Sequence, residues 1–149
     1  MMPTEPETPK GAVSSTLFIS GKEFDPDSLS QLIKTEPSEV WRQKRPWLKN
    51  RSDIPQIEWR YDLSKRPHWS IDDAIREVLN IFSPRSEKIR AFARQHDCEV
   101  HLRLQLHADE TVIIYEVSAE TMGLLAELGC SLSLHIDPDA QTASDFEAH

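Results

Sequence analysis

From Cys98 to His107 the chain alternates without a slip. Val100, Leu102, Leu104 and Leu106 are apolar, whereas Glu99, His101, Arg103, Gln105 and His107 are polar. Successive strand side chains point to opposite faces, so the pattern predicts a strand with one buried and one wet face. Cys130 to Asp137 repeats the pattern, with Leu132, Leu134 and Ile136 predicted inward and Ser131, Ser133 and His135 outward. Val13–Ser20, rich in β-branched and aromatic residues and stopped by Gly21, reads as a first strand. Glu39–Arg42 and Ile57–Tyr61 read as short strands. After a turn at Ala108–Glu110, Thr111–Val117 reads as a more buried one.

Helical spacing fills the gaps. Asp25-Pro26 supplies an N-cap and a first-turn proline for a helix with Leu29, Leu32 and Ile33 on its inner face, closed by Pro37. Ser70 with Asp73 opens a helix striped by Ile71, Ala74, Ile75, Val78, Leu79 and Phe82. Ser83-Pro84 starts another with Ile89, Phe92 and Ala93 inward, and Ser118 caps a helix that ends before Gly129. Strands with one wet face call for helices on the other, so the predicted fold class is α+β. It is a two-layer sandwich with a mostly antiparallel sheet and helices on one face, in the ferredoxin-like neighbourhood. Residues 12–137 form the single predicted domain, between unstructured tails at 1–11 and 138–149.

The chain has 149 residues, enough for one core without metal or disulfide staples. Charge changes the picture. Residues 41–69 carry eight Lys/Arg against three Asp/Glu, a local +5 in a chain of net −8, and hold all four tryptophans. Trp41 and Trp59 sit at strand positions and suit a core. Trp47 sits in a proline-bounded connection beside Arg42, Arg45, Lys49 and Arg51, the residue types that dominate interface hot spots. They form the predicted partner-binding set, and they suit a protein with an acidic surface. Nucleic acid is a second reading of the same segment, by phosphate contacts and base stacking, but the acidic remainder of the chain opposes it. The wet sheet face offers His101, Arg103, His107 and His135 as further contact residues.

Signs of catalysis are weak. No Gly-rich phosphate loop or nucleophile elbow is present. Cys98 and Cys130 fall on the apolar side of their strands, where a thiol is not activated. His101 and His107 are about 20 Å apart along one strand, too far to share a zinc ion. Glu23, Asp25 and Asp27 could hold a cation, but capping and packing account for the same residues. No catalytic residue, metal or cofactor is expected; a small-molecule or enzymatic role on the sheet face stays open as a third reading. The absence of a secretory signal, of a membrane-length apolar run and of a cysteine framework points to the cytoplasm.

Ser20-Gly21-Lys22-Glu23-Phe24-Asp25-Pro26, followed by Leu29, Leu32 and Pro37-Ser38-Glu39-Val40-Trp41, resembles the bacterial domain-of-unknown-function 4279 family. Trp59 and the passage from Leu128 to Ile136 extend the likeness over nearly the whole core. The resemblance implies a small bacterial domain with no catalytic residues to carry over. By analogy it points to a non-enzymatic partner-binding or toxin-neutralising (immunity) protein.

Overall fold

The computed structural model describes residues 11–48, 51, 54–68, 70–107 and 114–137. The expected tails lie outside the described residues, except that the first strand already begins at Gly11. The elements run β1 (Gly11–Gly21), α1 (Pro26–Ile33), β2 (Glu39–Arg42), a 3-10 turn (Pro46–Leu48), β3 (Ile57–His68), and α2 (Ile71–Phe82). They continue with a second 3-10 turn (Ser83–Arg85), α3 (Ser86–His96), β4 (Glu99–His107), α4 (Ala119–Leu128) and β5 (Cys130–Asp137).

The five strands form one sheet in the order β2-β3-β1-β4-β5. Three neighbouring pairs are antiparallel, and β4 with β5 is parallel. The connections β1–α1–β2 and β3–α2–α3–β4 each step over one intervening strand. The protein is thus an α+β fold with a mostly antiparallel sheet covered by helices on one face.

Capping chemistry sets where the helices start. The Asp25 carboxylate accepts from Asp27 N–H at 3.1 Å and from the Ser28 hydroxyl at 2.9 Å. Ser70 Oγ accepts from Asp73 N–H, and Ser118 Oγ from Thr121 N–H, each at 3.1 Å. These bonds satisfy amides that have no partner inside the helix. Gly129 ends α4 at φ +67°, a left-handed conformation that favours glycine.

The core lies between the helices and one face of the sheet. Val13, Leu17 and Ile19 of β1, Trp59 of β3, and Val100, Leu102, Leu104 and Leu106 of β4 meet Leu29, Ile33, Ile75, Val78, Leu79, Phe82, Ile89 and Leu128. Trp59 is fully buried, packs edge-on against Phe82 and donates its indole N–H to Ser30 Oγ at 3.0 Å. At the far end of β3, buried His68 reaches two carboxylates of α2, Asp73 at 2.9 Å and Glu77 at 3.1 Å, while Arg66 holds Glu77 at 2.6 Å. These contacts fasten the strand end to the helix.

Three expectations need correction. Of the strand predicted at 111–117, residues 111–113 lie outside the described residues, and the rest is not a strand. Ile114 makes one isolated bridge to Ser70, and Ile114 and Tyr115 are exposed. Both edges of β4 are already taken by β1 and β5, so a hairpin partner after β4 has nowhere to pair. Leu134 and Ile136, predicted inward, lie on the helix-facing side but are 42% and 63% exposed. Along β5 only Cys130 and Leu132 pack against the core, so the buried layer stops before Leu134. Finally, Trp41 is not core. Val40 pairs with Trp59, so Trp41 falls on the opposite face, where it is half-buried.

Candidate binding surface at the sheet edge and open face

Trp47 is the middle residue of the 3-10 turn that leaves β2, and it is 73% exposed. The turn is held rather than loose. Leu48 N–H donates to the Arg45 carbonyl at 3.0 Å, and Gln43 N–H donates to the Gln56 carbonyl at 2.8 Å, extending the β2–β3 ladder. The Gln56 side-chain amide then donates to the carbonyls of Leu48 and Ile54, each at 3.1 Å. Gln56 therefore fixes both ends of the connection. Its sequence context gave no signal of this, since a glutamine before a strand is unremarkable.

Of the predicted contact residues, Arg42, Arg45 and Arg51 are exposed, and Lys49 lies outside the described residues. Among the described residues Arg42 and Arg45 form no ion pair. A shallow cleft of about 550 Å³ runs along Glu39–Arg45, beside the strand that leads to Trp47. Trp47 and the arginines are thus near one another in the chain and at one edge of the sheet. Trp59 belongs to the core instead.

The second predicted set sits on the open face, away from the helices. Strand pairing places Arg103 and His101 beside Ser133 and Ser131. Both His101 ring nitrogens lie 2.7 Å from serine hydroxyls, Nδ1 from Ser131 and Nε2 from Ser133. Burial, and then the positive charge of Arg103, hold the His101 ring below the ordinary histidine value, while Glu99 opposes the shift and His135 adds to it. His107 is set apart at the other end of the strand, its Nε2 2.9 Å from Ser14 Oγ.

The open face is not free of aromatics, although the outward residues of β4 and β5 are. β1 contributes Phe18, which pairs with Arg60 on one side and His101 on the other. The Arg60 and Arg103 guanidiniums lie 5.4 and 4.9 Å from the centre of its ring. Arg60 is also paired with Glu39 and Glu58, whereas Arg103 has no ion pair among the described residues. The Val-Ser-Ser-Thr-Leu-Phe-Ile-Ser run could have shown Phe18: counting by twos from buried Leu17 puts it outward.

The thiols are poor nucleophiles. Burial, with help from Asp97, pushes Cys98 up to about 11, and burial pushes Cys130 up to about 12. Neither ionises appreciably near neutral pH. Among the described residues, no helix is long and apolar enough to cross a membrane.

No curated protein and no solved structure matches the chain. A family model described as a domain of unknown function, DUF4279, matches residues 12–139, from the first strand through the last, and the chain belongs to that family.

Proposed function

We propose that the chain is a non-enzymatic protein-binding module that grips an acidic partner through Trp47, Arg42, Arg45, Lys49 and Arg51. The observation that carries this reading is an indole 73% exposed on a turn braced by Gln56. Large apolar rings are not left on a pinned turn by core packing, and a rigid anchor loses little entropy on binding. Arg42 and Arg45, unpaired among the described residues, supply the charge that would steer an acidic surface toward it. The raised thiols favour binding over covalent catalysis. An immunity or toxin-neutralising role in a bacterial cytoplasm is the specific form this reading takes.

The test is affinity capture from the source cell with wild type and with Trp47→Ala/Arg45→Glu. Truncating an anchoring tryptophan costs about 2 kcal/mol or more, roughly 30-fold in affinity. The variant is therefore expected to lose the partner that the wild type retains. Identical captured proteins would remove the proposed anchor.

A second reading has one observation of its own. Phe18 between two arginines on an open sheet face is the kind of platform on which single-stranded nucleic acid stacks. Glu39 and Glu58 already neutralise Arg60, which weighs against it. Salt-sensitive binding of a single-stranded oligonucleotide that Phe18→Ala abolishes would support this reading over the first.

A further inference from the structure

The two edges of the sheet differ in how they are protected. β2 is four residues long, lies between Pro37 and Pro46 in the sequence and exposes the charges Glu39 and Arg42. Short length, flanking proline and charge are the usual guards against further strand pairing. β5 carries such guards only at its end, where Asp137 is its last residue and Pro138 follows in the sequence. It is eight residues long, contains no Lys, Arg or Pro, and pairs only with β4 among the described strands. Its helix-facing side also carries two of the largest exposed apolar side chains, Leu134 and Ile136.

We propose that β5 pairs antiparallel with β5 of a second copy, about a two-fold axis at Leu134, joining two sheets into one. The occupant follows from the strand itself. A continuous sheet must keep the helix-facing residues of both copies on one side, which restricts pairing to steps of two residues. With Leu134 facing its own copy, Ile136 faces Leu132, and Ser133 faces His135 on the open side. The facing pairs are then apolar with apolar and hydroxyl with imidazole, with Ser131 opposite Asp137 at the strand ends. Moving the axis to His135 would set two titratable rings against each other. Moving it to Ser133 would place Ile136 against Cys130, beside the end of α4. An acidic partner is disfavoured because β5 offers no cation. A self-complementary patch closes into a dimer and stops there. This inference is independent of the Trp47 surface, which lies at the opposite edge of the sheet.

Sedimentation velocity from about 5 to about 500 μM tests it on the full chain, since a self-association must depend on concentration. The wild type is expected to shift from one chain to two. Ile136→Lys, at an exposed position, is expected to weaken the dimer by at least about tenfold while circular dichroism stays unchanged. Facing Cα atoms in an antiparallel pair are about 4.5–5.5 Å apart, within disulfide reach, and diagonal ones are about 7–8 Å apart, beyond it. Under oxidation Leu134→Cys should therefore form a covalent dimer, and Ser133→Cys and wild type should not. A wild type that remains a single chain throughout would overturn the proposal, as would equal cross-linking of Leu134→Cys and Ser133→Cys.

Discussion

Ser30→Ala probes how the sheet is locked to its first helix. Trp59 is the largest fully buried side chain among the described residues, and its indole N–H has Ser30 Oγ as acceptor at 3.0 Å. That hydroxyl donates in turn to the Pro26 carbonyl at 3.1 Å. Removing it leaves a buried donor without a partner, which costs about 1–3 kcal/mol. Alanine is the better helix former by about 0.5 kcal/mol, so the net loss should be about 0.5–2.5 kcal/mol. Phenylalanine at position 59 has no N–H to strand. In a Trp59→Phe background the same Ser30→Ala change should cost much less, giving a coupling energy of about 1 kcal/mol. Urea unfolding of the four proteins, followed by far-ultraviolet circular dichroism, measures that coupling. Equal costs in the two backgrounds would show that the bond contributes nothing and that Trp59 is held by packing alone.

Three further outcomes follow from local geometry. A Cβ on Gly21 would sit 2.9 Å from Cys98 Sγ, so Gly21→Ala should cost about 1–3 kcal/mol, and adding Cys98→Ala should recover most of the loss in a thermal melt. Cys98 and Cys130, pushed up to about 11 and about 12, should react slowly with a thiol reagent at neutral pH in the folded protein and quickly in urea. Rapid native labelling would contradict their burial. The His101 ring is held below its ordinary value, so the neutral form favours folding. That contribution is present above the unfolded value near pH 6.5 and is lost as pH falls through the folded one. Denaturant melts of His101→Gln should accordingly show a flatter loss of stability on the acid side than the wild type.

Local chemistry was legible in the sequence where it is self-contained. Asp25, Ser70 and Ser118 announced their helices because a cap needs only residues within one turn. The alternation from Cys98 to His107 fixed a face because its period is strict. What failed depends on distant partners. Thr111–Val117 has strand composition, yet β1 and β5 occupy both sides of β4, and no local pattern reveals that competition. Leu134 and Ile136 keep the correct parity, but parity does not tell where the helical layer stops. Trp41 and Trp59 look alike in sequence. Only the pairing of Val40 with Trp59 separates the open-face residue from the core one. The exposure of Trp47 was legible from its proline-bounded connection, whereas the Gln56 bonds that steady it were not.

The recognition surface is tested most directly by hydrogen exchange of the chain with and without its captured partner. The account predicts slowed exchange across residues 39–51 and 54–57, around Trp47, with β5 unchanged. Protection confined to the open face of β1 and β4, with the Trp47 turn exchanging as before, would contradict it.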